Sequence, residues 1–257
     1  GLRYVPDLER NEYGTPILSS IIKLMNREAK HDIVCFINGD IIILGDLIKV
    51  VNLAKSHLNK FLITARRYNL QISSLIDFTN NEWGYPIKDK IGLVPPKSIV
   101  GTDILIYPKF LIKNSPPLSI GRGLWIRFFV YQSYKKRIPY IDATNDLLLI
   151  HQVHDYTHIK STTVKDKKTL AAKKSSVESL INRSLAGRSK FFLPKFYTME
   201  IKDFKIVRKT GVRTALRSVH ASLFSNSHFL SFIGLFACSN KVKRALWPML
   251  KLWFQYI

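Results

Sequence analysis

An apolar run that is interrupted by a short polar triplet most constrains the fold of this chain. Residues 34–37 are β-branched or aromatic apart from Cys35, Asn38-Gly39-Asp40 follows, and residues 41–44 resume the apolar pattern. Such a run predicts a strand that is buried on both faces, as in a sheet covered by helices. A carboxylate left unpaired in a core is costly or takes up a proton. We therefore expect Asn38 and Asp40 to lie at an open strand end, facing a ligand or metal.

The alternative for this triplet is an ordinary turn in which Asp40 caps the next helix. A second polar stretch favours the ligand site. Residues 151–158 contain His151, His154 and His158, three of the 7 histidines of the chain, together with Asp155 and Tyr156. Imidazole and carboxylate are common metal ligands, and histidine titrates near neutral pH. A surface loop that is merely rich in histidine is the other interpretation.

Strand and helix patterns alternate along the first part of the chain. We predict helices at 16–30, 46–58 and 124–136, strands at 33–38, 61–65, 103–107 and 147–151, and a long loop at 79–96. This alternation indicates an α/β domain with a largely parallel sheet covered by helices. With 257 residues and 46% hydrophobic content, the chain can bury a substantial core. We place the α/β domain at 1–158 and a basic, mainly helical region at 159–257.

Charge separates these two regions. Residues 1–158 hold 20 Lys and Arg against 14 Asp and Glu, whereas residues 159–257 hold 20 against 4. Basic residues among aromatic ones in the second region fit a helix on an anionic membrane surface. Nucleic acid is the weaker interpretation, because no zinc-finger spacing or RNA-recognition signature accompanies the charge. Two cysteines, with Cys35 in a predicted buried strand, fit a cytoplasmic protein, free or peripheral at the inner face of a membrane.

Several short segments occur in an order that resembles a known family. They lie at 5–6, 10–16, 36–42, 65–67, 101–103, 116–122, 142–144 and 151–158. Together they resemble GT-A-type glycosyltransferases, nucleotide-diphospho-sugar transferases related to the family 2 enzymes. The resemblance runs from about residue 4 to residue 158, and an extended match would reach Asn182 and residues 185–187. It implies a GT-A-like fold and transfer of a sugar from a UDP- or GDP-sugar to a saccharide or lipid-linked acceptor.

The resemblance also implies a metal site. Asn38-Gly39-Asp40 matches the short acidic motif that holds a divalent cation against the donor diphosphate in GT-A enzymes, although only its final acid is present. Asp40 is the expected ligand of Mn²⁺ or Mg²⁺, and Asn38 the expected hydrogen-bonding partner of the donor or of a metal-bound water. His151 or His154 is the expected late ligand. Hard cations of this kind take carboxylate and phosphate oxygens.

Other residues acquire roles from the same resemblance. Asp103 and Asp155 are the catalytic candidates, with Asp103 binding a sugar hydroxyl or accepting the proton of the acceptor. The remaining residues of the donor pocket would be Arg66, Arg67, Gly101 and Trp125. Guanidinium groups suit diphosphate. A solvated arginine pair and a core tryptophan are the plain alternatives.

The chain departs from the family pattern in two respects. Ile126 and Arg127 stand where the family has an acid and an asparagine, and Asn69 and Gln71 stand where it has acids. Tyr4 corresponds to a point inside the family's domain, so the resemblance predicts that the first nucleotide-binding strand is missing. A catalytically inactive relative that binds carbohydrate or a membrane surface is therefore the alternative function.

Overall fold

The computed structural model describes residues 3–93, 99–153, 176–194 and 197–210. Its helices are α1 (Leu18–Glu28), α2 (Leu47–His57), α3 (Tyr85–Gly92), α4 (Trp125–Lys135) and α5 (Val177–Leu185), followed by a 3₁₀ helix, Gly187–Phe191. Its strands are β1 (Ile33–Ile37), β2 (Ile41–Gly45), β3 (Leu62–Thr64), β4 (Arg67–Leu70), β5 (Ile99–Val100), β6 (Ile104–Pro108), β7 (Tyr140–Asp142), β8 (Leu147–Gln152), β9 (Met199–Lys202) and β10 (Lys205–Arg208). Within these ranges no helix is long and apolar enough to cross a bilayer.

The strands form two mixed sheets. The larger has the order β1-β6-β3-β7-β9-β10, and the smaller has the order β2-β8-β4-β5. The chain is thus an α/β protein, but the prediction of a mostly parallel sheet is wrong. Only β3–β7, β7–β9 and β4–β8 pair in parallel among the eight pairings of the described strands. Apolar runs report burial on both faces, which an antiparallel strand under helices shows equally well.

Four short segments of the chain cross directly between the two sheets. The crossing segments are residues 38–40 (β1 to β2), 65–66 (β3 to β4), 101–103 (β5 to β6) and 143–146 (β7 to β8). Each has only two to four residues. Polar side chains of the sequence motifs are concentrated in these segments, where the backbone leaves one sheet before it enters the other.

Helices cover both faces of the larger sheet. Leu18 and Ile22 of α1 and Phe129 of α4 pack with Leu105 and Tyr140 in one buried cluster. On the opposite face, α2 packs on alternate strand residues, among them Ile63, Ile104, Ile106 and Ile141. These apolar side chains are almost wholly buried, and burial of each one stabilises the fold by about 1.5–3 kcal/mol.

Two local differences from the prediction have simple causes. Helix α3 lies within the predicted loop 79–96. Pro86 is a loop signal in the sequence, but it stands in the first turn of this helix, where its missing N–H breaks no helical hydrogen bond. Cys35 is exposed rather than buried, because β1 is the edge strand of the larger sheet as described. Helix α2 matches its prediction closely, and its N-cap Asp46 accepts a hydrogen bond of 2.8 Å from the N–H of Lys49.

The segment 176–210 belongs to the same folded unit as the residues before 153. Strand β9 pairs in parallel with β7 through Ile141 and Asp142, and Ile201 is buried in the core cluster of α2. Phe192 and Tyr197 lie in the cluster of α1 and α4. Residues 176–210, which the prediction assigned to the second region, thus pack with the first, and the predicted boundary at residue 158 lies outside the described residues. The basic residues after 210 lie outside the described part of the chain.

A buried polar network attaches α5 to the body of the domain. Glu178, which is 4% exposed, pairs with Arg122 Nε and accepts a hydrogen bond of 2.8 Å from Asn11 Nδ2. Asn182 accepts from the N–H of Ser119 at 2.7 Å and donates to the carbonyl of Ser119 at 2.8 Å. Asn11 belongs to the motif segment 10–16, and Ser119 and Arg122 belong to the segment 116–122. The polar residues of these two segments thus bind α5 and not the crossing segments.

Glu178→Gln should destabilise the fold by about 3 kcal/mol near neutral pH, because it leaves the Arg122 guanidinium buried without its counter-charge. Burial raises the pKa of Glu178, but the hydrogen bonds from Arg122, Thr15 and Asn11 outweigh it and hold the pKa below its ordinary value of 4.5. The stabilisation is therefore present above that ordinary value and is lost as pH falls through the lowered pKa of the folded state. Urea unfolding over a pH series measures both effects.

The exposed Glu82 provides the control, as Glu82→Gln should leave stability nearly unchanged. The free energy of unfolding of Glu178→Gln should approach that of the unsubstituted protein as the pH falls. If the difference between the two stays constant at acidic pH, the effect does not come from the ionised carboxylate.

Candidate functional site

Three of the four crossing segments are joined through Asp103. Asn38 Nδ2 donates to Asp103 Oδ1 at 2.7 Å, and the N–H of Asn38 donates to the carbonyl of Asp103 at 3.2 Å. Asp103 Oδ2 pairs with the guanidinium of Arg67, which begins β4 immediately after the 65–66 crossing. The register explains this meeting, because Ile37 lies opposite Ile104 and the next residue outward on each strand is Asn38 or Asp103.

Asp103 is buried, with 7% of its surface exposed. Burial raises the pKa of this carboxyl, and the Arg67 guanidinium opposes that rise. Both carboxylate oxygens are engaged by protein donors, so Asp103 is arranged to hold Asn38 and Arg67 in place. The predicted role as a proton acceptor for the acceptor sugar fits this geometry less well than a positioning role.

Gly101 permits the close approach of this ion pair. Its φ is +68°, which side-chain-bearing residues rarely adopt, and a Cβ there would lie 3.3 Å from Arg67 Nε and 3.5 Å from Asp103 Oδ2. The predicted role in binding the donor directly is not needed to explain the glycine. Gly101 instead leaves space for the Arg67 side chain.

The two polar stretches of the sequence meet at Asp40 and His151. His151 lies opposite Ile41 in the β2–β8 pairing, which brings its Nε2 to 3.1 Å from Asp40 Oδ2. The Asp40 side chain is 35% exposed, whereas the His151 side chain is 9% exposed. Asp40 follows Asn38 by two residues, and Asn38 Nδ2 donates to Asp103 Oδ1. The Asp40–His151 pair and the Asp103 cluster therefore lie on the same turn and form one site.

This pair fits two positions around a divalent cation. Two ligand atoms about 2.1 Å from a Mg²⁺ ion at a right angle are about 3 Å apart, close to the separation seen here. No group of three or more His, Cys, Asp or Glu side chains arranged for a metal occurs in the described ranges. His154 and Asp155, predicted as a metal ligand and a catalytic residue, lie outside them.

Arg66 differs from Arg67 in its surroundings. Its side chain is 41% exposed, with Nη2 at 3.7 Å from Asp142 Oδ2, and its backbone N–H donates to Thr144 Oγ1 at 2.9 Å. Arg66 Nε is buried and has no hydrogen-bond partner among the described residues. Arg67 is 16% exposed and is committed to Asp103. Of the two predicted phosphate ligands, Arg66 has the greater donor capacity left for an anion.

Asp142 and Thr144 hold Arg66 in this position, and neither received a role from the sequence. Asp142 Oδ1 accepts hydrogen bonds from the N–H and the hydroxyl of Thr144. Thr144 Oγ1 in turn accepts from Arg66, so the turn after β7 supports the turn after β3. The signal in the sequence was the Asp-x-Thr spacing at a strand end, which is typical of such side-chain turns.

Trp125 does not line the site. It is 5% exposed and packs edge-on against Phe36 and Phe129, with ring centroids 5.0 and 6.4 Å away. Trp125 is therefore a core residue in this structure and is not placed to stack on a sugar ring. Ile126 is also buried in that core, and Arg127 donates to the carbonyl of Lys190. Neither supplies a carboxylate to the site.

Comparisons with known protein families, with curated proteins and with solved structures find no match to this chain.

Gly101→Ala should destabilise the domain by about 1–2 kcal/mol, because an L-residue is strained at this φ and its Cβ would press on the Arg67 guanidinium. Gly14→Ala is the matched control, since Gly14 also has a positive φ, of +79°, and a Cβ there meets nothing within 4 Å. Chemical unfolding of both variants tests the prediction. An equal loss of stability in the two would show that Arg67 does not need the space at Gly101.

Proposed function

We propose that the protein is a GT-A-type glycosyltransferase that moves a sugar from a UDP- or GDP-sugar to a saccharide or lipid-linked acceptor, with Mn²⁺ or Mg²⁺. The observation that carries the proposal is the convergence of Asn38, Asp40, Arg67, Asp103 and His151 where the chain crosses between its sheets. Ligands of α/β proteins bind at such strand ends. The order of the sequence motifs supplies the reaction class.

Asp40 and His151 would hold the cation, since their facing atoms have a separation that suits two ligands of one ion. A bound cation would neutralise charge that develops on the leaving diphosphate. Arg66 would add a second positive group, because its half-exposed guanidinium can turn from Asp142 toward a phosphate oxygen.

Asn38 and Arg67 serve a different purpose. Both are fixed by Asp103, so the Asn38–Asp40 segment has a defined path before a substrate arrives. A site whose parts are already in place spends less binding energy on ordering them. In this account Asp103 positions the metal-binding segment and leaves the proton of the acceptor to another group.

A second function is favoured by the position after Trp125. Ile126 is 8% exposed and packs in the core, so this chain has no carboxylate where the resembled family has one. Loss of a positioned base costs a factor of about 10² to 10⁴ in rate. A relative that binds nucleotide sugar or carbohydrate without transfer would keep the Asp40 site and lack turnover. An acid at Ile126 would be buried, so its restoration is a poor test.

Calorimetric titration of UDP, UDP-sugars and GDP-sugars with and without Mn²⁺ tests the donor site. We expect binding that requires the metal and weakens at least tenfold in Asp40→Asn, because a neutral amide is a weaker ligand for a hard cation. Asp32→Asn is the matched control, since Asp32 flanks the opposite end of β1 and is exposed. Equal affinity in the two variants, or no binding to the folded protein, would contradict the proposal.

Release of UDP or GDP in the presence of candidate acceptors separates the two functions. Turnover that is lost in Asp40→Asn supports the transferase. Metal-dependent binding without turnover over a panel of saccharide and lipid-linked acceptors supports the binding protein.

A further inference from the structure

A basic groove lies at the end of the larger sheet that is remote from the crossing segments. Strand β6 begins beside Asp103 and ends at Pro108, next to the groove, and β3 begins after Lys60 and ends at the 65–66 crossing. The groove has a volume of about 900 Å³. It is therefore separate from the site of the proposed function, and a partner bound here would leave that site open.

The described residues that line the groove carry charge of one sign. They include Lys60, Lys109, Lys113 and Lys136, and none of these described lining residues is Asp or Glu. Burial, and after it the neighbouring charges of Lys135, Lys113 and Lys60, lower the pKa of Lys136. Like charges held this close repel one another, so an anion in the groove would relieve a cost that the free protein bears.

An exposed aromatic residue stands within this basic surface. Phe110 is 53% exposed, and its φ of +65° is unfavourable for a side chain of this kind. The loop is nevertheless fixed, because the N–H of Phe110 donates to Asn26 Oδ1 at 3.0 Å and Lys109 Nζ donates to the carbonyl of Ala29 at 2.7 Å. The fold thus holds a large apolar side chain outward at the cost of backbone strain.

We propose that this face, formed by Phe110, Lys60, Lys113 and Lys136, docks on an anionic lipid bilayer. Lysines at a membrane surface attract the acidic headgroups, and an aromatic side chain inserts at the level of the headgroups. Lys109 Nζ lies 4.9 Å from the centroid of the Phe110 ring, so the ring has a partner within the protein. A soluble anion would use the lysines alone, whereas a bilayer would also take up the exposed part of this ring. The lipid surface is the partner that uses both features.

In this orientation the start of β6 and the crossing segments lie away from the membrane. Strand β6 has five residues, so the Asp103 cluster would lie about 17 Å from the groove end of the strand. Soluble nucleotide sugars could then reach the site while the protein is bound.

Sedimentation with vesicles tests the proposal on the full chain. Vesicles of phosphatidylcholine and phosphatidylglycerol are compared with vesicles of phosphatidylcholine alone. The double variant Lys60→Ala/Lys113→Ala should bind the anionic vesicles about 25-fold more weakly, since each lysine near an anionic surface contributes about fivefold. Phe110→Asn should weaken binding about tenfold, and asparagine tolerates the left-handed backbone at this position.

Lys88→Ala/Lys90→Ala provides the charge-matched control, because both lysines are exposed on α3 beside the other sheet. Weaker binding in the groove variants with little change in the control supports the docking face. An equal loss in both double variants would overturn it in favour of general attraction to the net charge. Unchanged binding of Phe110→Asn, or competition by millimolar pyrophosphate alone, would overturn the bilayer in favour of a soluble anion. Thermal unfolding establishes that each variant is folded.

Discussion

The arrangement of the site depends on the Asp103 carboxylate. It is buried where β5 passes into β6, and it engages Asn38 from the first crossing and Arg67 from the start of β4. A buried carboxylate is tolerated only when charge and hydrogen bonds compensate its desolvation. Because the compensating groups come from separate crossings, the position of each segment is coupled to the others. Asp103, 65 positions after Asn38 in the chain, therefore fixes the backbone of the Asn38–Asp40 turn, which brings Asp40 to His151.

The sequence predicted the elements better than their arrangement. Helix α2 and the strands around residues 33–37 and 104–108 lie close to the predicted ranges, since their apolar patterns depend on local burial. Strand direction depends on which segments meet in space, and no pattern within β1 or β6 distinguishes antiparallel from parallel neighbours. The contribution of β9 to the larger sheet was missed for a local reason, because Met199–Lys202 is short and half polar.

The site shows the same division between local and distant information. Polar residues that end an apolar run, such as Asn38 and Asp40, could be found from the sequence because an apolar core excludes them. The meeting of Asp40 with His151 depends on the β2–β8 register, which the sequence did not reveal. The sequence around Trp125 fits two roles, since an aromatic residue after a glycine turn can stack on a sugar or pack in a core. Its packing on Phe36 shows the core role.

The two ends of the larger sheet differ in how their charges are paired. At the crossing end the buried Asp103 carboxylate has Arg67 as its counter-charge, and the pair fixes the geometry of both residues. At the other end Lys60, Lys113 and Lys136 line a groove whose described residues include no carboxylate. Charges that are paired internally stabilise the folded chain, whereas charges of one sign raise its free energy until an external anion neutralises them. The first arrangement suits a site that must select and orient a small substrate. The second suits a broad anionic surface, which needs proximity more than orientation.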